Sequence, residues 1–502
     1  MAPKMKTPKV KQPKKAINDK QVTGASEITL RQSIFPVFLV TILFFLWGFA
    51  YGLLDVLNKH FQEVLNISRG QSSGLQGAYF GAYFITPLTY SGYIVRRFGY
   101  RWTFITGLCV YGVGALMFWP SGVKASFGGF CGSMFIVGSG LSTLETSANP
   151  FIATCGPPRY SEMRLNFAQS FQAIGTVVAP LLASNVIFKN VDTPGGKSLQ
   201  SVQWVYLGIA CFVFALSIVF YFAPIPEVTD ADMKDQADLS AADTGYEDKP
   251  LRKQYLLYFG VVSQFCYVGS QVAIAGYFIN YVTEVKPNIS SAMGSNQLAI
   301  AQGLFAIGRF ASTALLKFVK PRVLLLVFLT CCIIFSAASI GTTGNAGIAM
   351  LSLVLFFEST CFPTIFTLSL RGLGRHTKRG GSFIVSSTSG GAVFPPILGA
   401  VSDRANSTRI AMAVPLGGFL VSWLFPIYCN IFERERLDGF RKTRIGVNDA
   451  EGTVRGHESV EGTESPSSGD EKESNEDEAR QIEFKGEPAN GTDEKGTEIK
   501  GA

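Results

Sequence analysis

Apolar stretches of about 20 residues recur along this 502-residue chain, and they restrict its fold more than any other feature. A bilayer core about 30 Å thick is crossed by roughly 20 apolar residues of α-helix. Twelve such stretches occur, at about 34–57, 75–95, 102–119, 127–154, 165–188, 202–223, 254–283, 297–316, 323–341, 346–370, 381–401 and 410–432. The sequence therefore predicts an all-α membrane protein with twelve transmembrane helices.

Lysine and arginine are distributed unevenly between these stretches. If the N-terminus is cytoplasmic, the segments on that side hold 29 basic residues before residue 449, and those on the other side hold 8. Cytoplasmic loops of membrane proteins carry an excess of basic residues. The pattern therefore predicts that both termini are cytoplasmic.

Charge divides the chain into an apolar body and two polar ends. Charged residues make up 16% of the whole, against roughly 25% in a soluble domain. The net charge of +7 combines +17 for residues 1–448 with −10 for residues 449–502. We predict a disordered basic arm at 1–33, a six-helix bundle at 34–223, a cytoplasmic linker at 224–253, a second six-helix bundle at 254–432, and a disordered acidic cytoplasmic tail at 433–502.

The two predicted bundles repeat one pattern in their fourth helices. Residues 144–150 read Leu-Glu-Thr-Ser-Ala-Asn-Pro, and residues 357–363 read Phe-Glu-Ser-Thr-Cys-Phe-Pro. In each, an acid precedes a proline by five residues, and the proline removes a backbone hydrogen bond and bends the helix. Interrupted helices in corresponding positions of two repeated halves are typical of secondary transporters and mark their substrate sites.

Four charged side chains fall inside the predicted spans: Asp55, Glu145, Arg309 and Glu358. A carboxylate in hydrocarbon costs at least about 2.5 kcal/mol on insertion scales, so we expect the acids to face the bundle interior. A buried carboxyl that binds and releases a proton as its cavity changes side is what proton coupling requires. The alternative is a structural pair in which Arg309 neutralises one acid. We favour a structural role for Arg309 over substrate binding.

Amide side chains form rows on two predicted helices. Asn166, Gln169 and Gln172 are spaced by three residues. Gln264 and Gln271 are spaced by seven, so each set lies along one helical face. Amides both donate and accept hydrogen bonds, which suits a polyhydroxylated solute such as a sugar. Hydrogen bonding between helices is the alternative.

Several motifs resemble those of the fucose permease-type transporters. They are Phe44-Phe45-Leu46-Trp47-Gly48 with Asp55, Leu144-Glu145-Thr146 with Ala148-Asn149-Pro150-Phe151, Arg164-Leu165-Asn166 with Ala168-Gln169, Gln264-Phe265-Cys266-Tyr267-Val268-Gly269, and Pro363-Thr364-Ile365-Phe366. The resemblance extends over about residues 34–432. On these motifs the chain is identified as a member of the fucose–galactose–glucose:proton symporters of the major facilitator superfamily.

This resemblance implies two six-helix bundles, a central cavity, alternating access, and uptake of a hexose or 6-deoxyhexose with a proton. It also implies that Asp55 and Glu145 carry the coupling, and that the polar row with Gln169 and Gln172 contacts or orders the sugar site. The chain departs from the bacterial pattern at Glu358, where that pattern is apolar. The identity of the sugar and the role of Glu358 are therefore left open.

The expected partners are a small-molecule sugar and membrane lipids, with no nucleic acid, and the expected state is a functional monomer in the plasma membrane. We expect no metal and no cofactor, with the proton as coupling ion. One alternative is a facilitator or exporter of another small polar solute, and another is a transporter-like nutrient receptor. An enzyme is disfavoured because the sequence shows no nucleophile–base pair, phosphate loop or metal cluster.

Overall fold

Helices form all the regular secondary structure in the described part of the chain. The structure is a computed structural model, and it describes residues 23, 30–65, 67, 69–186, 197–287 and 289–442. We call residues 30–222 the N-terminal half and residues 255–431 the C-terminal half. The helical content confirms the predicted all-α class.

The described residues of the N-terminal half form α1 (Leu30–Leu65), α2 (Arg69–Ser72), α3 (Gly74–Leu88), α4 (Tyr90–Arg97), α5 (Gly99–Leu116), α6 (Phe118–Val123), α7 (Phe127–Thr154), α8 (Ser161–Val186) and α9 (Lys197–Phe222). A 3-10 helix, Pro158–Tyr160, connects α7 to α8. Two shorter helices, α10 (Asp230–Leu239) and α11 (Ala241–Thr244), lie in the segment between the halves.

The C-terminal half follows a further 3-10 helix, Leu251–Lys253. Its helices are α12 (Tyr255–Val285), α13 (Ser291–Leu315), α14 (Pro321–Gly341), α15 (Gly344–Glu358), α16 (Cys361–Leu370), α17 (Thr377–Ser386), α18 (Gly390–Ala405), α19 (Thr408–Ala411) and α20 (Ala413–Ile431). The 3-10 helices Gly374–His376 and Ser387–Ser389 flank α17, and α21 (Arg434–Gly439) follows α20.

Ten segments of the described chain are long and apolar enough to cross a membrane. Four belong to the N-terminal half and six to the C-terminal half. The other two predicted spans, 75–95 and 165–188, are also helical, as α3 with α4 and as α8. Helix α3 is only 15 residues long and ends at Leu88, and α8 carries the buried amides Asn166, Gln169 and Gln172. The count of twelve spans stays a prediction.

Close packing of α1 on α8 depends on two glycines. A Cβ at Gly48 would lie 1.9 Å from the carbonyl oxygen of Gln172, and one at Gly175 would lie 2.5 Å from that of Phe45. Neither position has room for a side chain, so the two backbones touch. Trp47, next to Gly48, and Gln172 are consequently brought to the same depth of the protein.

The two halves are joined by a buried ion pair where α8 begins and α16 ends. Arg371 donates from Nε to Glu162 Oε1 at 2.7 Å and from Nη2 to Glu162 Oε2 at 2.5 Å. Both side chains are at most 6% exposed. Two parallel hydrogen bonds between guanidinium and carboxylate fix the geometry as well as the distance.

The segment predicted as a polar linker, 224–253, is partly helical. Thr229 and Asp232 form a capping box at the start of α10, in which each side chain accepts a hydrogen bond from the other's backbone N–H. Glu227 accepts hydrogen bonds from the backbone N–H groups of Tyr100 and Arg101 at 2.9 and 3.1 Å. The linker carboxylate thereby satisfies free N–H groups at the N-terminus of α5.

Helices extend into both terminal segments that the sequence predicts to be disordered. Helix α1 starts within the predicted arm 1–33, and α21 lies within the predicted tail 433–502. Asp438 of α21 accepts hydrogen bonds from Lys320 and Arg322, at 2.6 and 2.9 Å, which holds this helix on the protein. Apart from Thr23, the arm before residue 30 and the tail after residue 442 lie outside the described residues.

Candidate functional site: two adjacent cavities with one carboxyl each

Glu145 lies in α7 among neutral polar groups and is only 5% exposed. Asn149, one turn later, donates from Nδ2 to Glu145 Oε1 at 3.0 Å. Gln169 of α8 donates in turn from Nε2 to Asn149 Oδ1 at 3.2 Å. The hydroxyl of Tyr83 lies against the same carboxyl, and it accepts a hydrogen bond from the indole of Trp47. Two amides and a phenol therefore surround this acid.

A cavity of about 270 Å³ opens beside this acid, and we call it the Glu145 cavity. Its polar lining consists of Glu145, Gln169 and Gln172. The remaining wall is apolar and aromatic and comprises Leu43, Phe44, Trp47, Leu141, Leu144 and Ala148. A carboxyl in such a wall meets little competing hydration, so its charge depends strongly on the few groups that touch it.

A larger cavity of about 450 Å³ lies between the two halves, and we call it the central cavity. Its aromatic wall consists of Trp47, Tyr51, Phe80, Phe305 and Phe362, and its polar wall of Gln172, Thr176, Gln271, Gln302, Glu358 and Thr388. Val268, Val272 and Ala275 complete the lining. Trp47 and Gln172 line both cavities, so these two side chains form the wall that the cavities share.

Glu358 enters the central cavity from a break in a helix. It is the last residue of α15, and α16 begins only at Cys361. Pro363 has no backbone N–H, so the carbonyl of Ser359 four residues earlier has no helical partner. That carbonyl accepts a hydrogen bond from Arg309 Nε at 2.7 Å. The carbonyl of Glu358 accepts one from the Tyr267 hydroxyl at 2.6 Å.

Arg309 of α13 connects the two halves beneath the central cavity. Its Nη1 donates to the backbone oxygen of Gln169 at 3.1 Å and to Gln172 Oε1 at 3.2 Å. Its guanidinium stacks over the ring of Phe305 at 4.6 Å. It also interacts electrostatically with the Glu358 carboxyl. These contacts fit the structural role expected for Arg309, which is only 1% exposed.

The predicted amides divide into three groups. Gln172 and Gln271 line the central cavity, and Gln169 lines the Glu145 cavity. Asn166 bonds across the halves instead, accepting from Thr360 Oγ1 at 2.9 Å. Gln264 is fully buried outside both cavities, and neither of its side-chain polar atoms has a hydrogen-bond partner. Substrate binding by Asn166 and Gln264 stays a prediction.

Asp55 is the other acid that is predicted to carry the coupling. It lies within α1, but its side chain is outside the described residues. Its role in coupling stays a prediction based on the sequence. Within the described ranges, no group of three or more His, Cys, Asp or Glu side chains is arranged to hold a metal ion.

Sequence reasoning missed several side chains of the central cavity. Gln302 was not predicted, although Gln302, Phe305 and Arg309 follow one another on one face of α13. Applying the search for amide rows to this helix would have identified it. Thr388 could not have been found in this way, because it lies in the short 3-10 helix Ser387–Ser389 between α17 and α18.

The described helices form two halves with a polar, aromatic-lined cavity between them, the kind of concave site in which small molecules bind. Residues 40–395 match the Major Facilitator Superfamily. The L-fucose-proton symporter of Escherichia coli (strain K12) is 32% identical over 413 residues, which are 79% of this chain and 93% of the relative. The glucose/galactose transporter of Brucella abortus biovar 1 (strain 9-941) is 30% identical over 395 residues, 78% of this chain and 91% of the relative.

A solved structure agrees with these sequence matches. The crystal structure of the major facilitator superfamily transporter FucP in the outward conformation superposes with a TM-score of 0.66. The two chains are 31% identical, and the match covers 79% of this chain and 99% of that one. The chain belongs to the Major Facilitator Superfamily, and within it to the fucose–galactose–glucose:proton symporters. This is a family of transporters and not of enzymes.

Proposed function

We propose that the chain is a secondary active transporter that takes up a hexose or 6-deoxyhexose, such as L-fucose, glucose or galactose, together with a proton. The observation that carries this proposal is the pair of adjacent cavities. One has the aromatic faces and amides that bind sugars, and the other has a buried carboxyl among neutral groups. The names of the relatives, an L-fucose-proton symporter and a glucose/galactose transporter, support the substrate class.

The sugar binds in the central cavity, with its apolar face on aromatic rings. Trp47 and Phe362 lie with ring centroids 6.4 Å apart on this wall. Gln172 and Gln271 present amides from opposite halves, so both halves hold the same ligand. Because a hydroxyl both donates and accepts, each amide can bond a sugar hydroxyl through either of its polar atoms.

Glu145 and Asp55 carry the coupled proton. When Glu145 is ionised, closing the protein around it buries a charge whose hydrogen-bond partner, Asn149, is neutral, and this is costly. Protonation removes that charge, so closure becomes feasible in the loaded protein. Alternating access then follows from rocking of the two six-helix bundles, 34–223 and 254–432, about the central cavity. The Glu162–Arg371 pair closes the cytoplasmic end.

Sugar binding is communicated to Glu145 through the shared wall. Trp47 lines the central cavity, and its indole N–H donates to the Tyr83 hydroxyl, which lies against the Glu145 carboxyl. A sugar that stacks on Trp47 therefore moves the group that contacts the proton site. Sugar and proton then favour the same conformation, which is the coupling free energy that symport needs.

The distribution of Lys and Arg supports cytoplasmic termini, with 29 basic residues on one side against 8 on the other. We place the protein in the plasma membrane as a functional monomer in contact with lipid. The proton is its coupling ion.

A sugar panel tests this function directly. The full chain is reconstituted in vesicles, and uptake of labelled D-glucose, D-galactose and L-fucose is measured at two external pH values. We expect at least one sugar to accumulate above its external concentration at the lower external pH, and an uncoupler to abolish the accumulation. Equilibration without accumulation would indicate a facilitator, and absence of uptake of every sugar would contradict the proposal.

A further inference from the structure

The central cavity contains two buried polar atoms that have no partner in the protein. One is Oε2 of Glu358, a residue that is 2% exposed. The other is Oγ1 of Thr388, a residue that is 1% exposed. They come from different elements, the end of α15 and the 3-10 helix Ser387–Ser389, yet both residues line the same cavity. A buried polar group without a partner is costly, so two of them facing one cavity indicate a polar ligand.

The rest of the Glu358 carboxyl is already held in place. The Gln271 side chain lies against this carboxyl, and the Tyr267 hydroxyl donates to the Glu358 backbone oxygen at 2.6 Å. The helix break after Glu358 is stabilised by Arg309, which binds the Ser359 carbonyl. The free oxygen is therefore presented to the cavity by a rigid support, as a binding group must be.

Arg309 does not occupy the free oxygen of Glu358. It interacts electrostatically with the carboxyl, but its hydrogen bonds go to the backbone oxygens of Ser359 and Gln169 and to Gln172 Oε1. Oε2 of Glu358 is therefore available to a ligand in the cavity.

We propose that Glu358 and Thr388 form a hydroxyl-binding subsite for the transported sugar on the C-terminal half. Glu358 Oε2 accepts a hydrogen bond from one sugar hydroxyl, and Thr388 Oγ1 bonds a second. The ligand class is a neutral monosaccharide with a free hydroxyl at the position that hydrogen-bonds Glu358 Oε2. This inference rests on the proposed sugar transport.

The test compares sugar exchange with proton-driven accumulation in vesicles that contain the full chain. The probes are the labelled sugar that the unmodified protein transports and its monodeoxy analogues as competitors. For Glu358→Gln we expect the KM of exchange to rise about tenfold, because a neutral amide oxygen replaces a charged hydrogen-bond acceptor. The accumulation ratio at saturating sugar stays unchanged. The surface change Asp403→Asn, also carboxyl to amide, is the control and alters neither quantity.

The analogues separate binding from a merely structural effect. In the unmodified protein, one monodeoxy sugar competes at least about tenfold less well than the parent sugar. In Glu358→Gln this difference shrinks for that analogue, because the acceptor loses its charge, and it persists for the others. A general loosening of the site would weaken all competitors equally and would contradict the proposal. Thr388→Val, which keeps the shape of the side chain, provides a second variant and should erase the difference for another analogue.

Two further outcomes overturn the subsite. One is loss of accumulation in Glu358→Gln with an unchanged KM of exchange, which would make Glu358 a coupling group. The other is an unchanged KM together with unchanged discrimination among the analogues. A failure of the proposed function looks different, because the unmodified protein itself would then transport none of the sugars.

Discussion

The Glu145 cavity and the central cavity each contain one buried carboxyl, but the surroundings of the two carboxyls differ in kind. Glu145 is bonded by Asn149 and touched by Tyr83, both neutral. Glu358 has the guanidinium of Arg309 as a neighbour and a cavity lined by amides. A cation nearby favours the charged form of a carboxyl, whereas among neutral neighbours nothing offsets the loss of hydration. Two acids that are equally buried therefore differ in their electrostatic surroundings, and proton coupling by Glu145 stays a prediction.

The difference originates in the repeated segment that the two halves share. Helix α7 continues through Pro150, and the residue before that proline is Asn149, which reaches back to Glu145. In the C-terminal half, the corresponding residue is Phe362, which lines the central cavity instead. There the helix breaks after Glu358, and Arg309 binds the carbonyl released at the break. The same motif thus lies in a continuous helix in one half and at a helix break in the other.

The largest expected effect comes from removing the titratable group at Glu145. Glu145→Gln keeps the size and the hydrogen bonding of the side chain but cannot bind a proton. We expect accumulation of sugar to fall to simple equilibration, while exchange of labelled for unlabelled sugar continues. Asp55→Asn should behave in the same way. Uphill uptake that survives in Glu145→Gln, measured in vesicles with an imposed pH gradient, would refute the contrast between the two acids.

The next effect is on stability and concerns Arg309. Arg309→Met removes hydrogen bonds to Ser359 and Gln172 and leaves Glu358 without its cationic neighbour. A hydrogen bond to a charged group contributes about 1.5–3 kcal/mol, so losing these two should cost about 3–6 kcal/mol. Thermal unfolding in detergent measures this, with the exposed Arg404→Met as control. Adding Glu358→Gln to Arg309→Met should restore part of the stability, and strict additivity of the two changes would show that the residues do not interact.

A smaller effect is expected from the Tyr83 hydroxyl, which contacts both Trp47 and Glu145. Tyr83→Phe deletes the group that accepts from the Trp47 indole and lies against Glu145, while the ring remains. We expect the accumulation ratio to fall several-fold, with the KM of exchange almost unchanged, because Tyr83 is not part of the central cavity lining. Tyr111→Phe is the matched control, since the Tyr111 hydroxyl is buried without a hydrogen-bond partner. Equal behaviour of both variants would remove Tyr83 from the coupling route.

The smallest effect concerns a carboxyl outside both cavities. Burial alone would raise the pKa of Asp438, but hydrogen bonds from Arg322 and Lys320 outweigh it and lower the pKa from 3.8 to about 2. A lowered carboxyl pKa stabilises the fold above about pH 4, and this stabilisation is lost as the pH falls towards 2. Asp438→Asn should therefore cost less than about 1 kcal/mol at neutral pH. It should also flatten the loss of thermal stability between pH 4 and pH 2, and an unchanged slope would disprove the pairing.

Much of the fold could be predicted from hydropathy, because each apolar stretch must form a helix in lipid. The depth of a side chain along its helix could not. Gln264 and Gln271 share a face of α12, yet only Gln271 reaches the central cavity. Periodicity gives the direction in which a side chain points, whereas the depth of the cavity depends on how neighbouring helices pack.

Contacts between the halves could not be predicted from the sequence either. The repeated acid and proline located Glu145 and Glu358, since the spacing is visible in the chain. That Arg309 would bind Gln172 of the other half follows only from the packing of α13 on α8. A helical period carries no information about such distant partners, so the different surroundings of the two acids could not be predicted from it.

The break in the fourth helix of the C-terminal half has one more consequence. Arg309 reaches the Ser359 carbonyl because Pro363 lacks the single hydrogen atom that a continuous helix would place there. Proline alone does not interrupt a helix in this protein, since α7 continues through Pro150. At the interruption after Glu358, the guanidinium that takes up the released carbonyl also bonds Gln172 of the other half. A defect in one helix thus provides an anchoring point between the two halves.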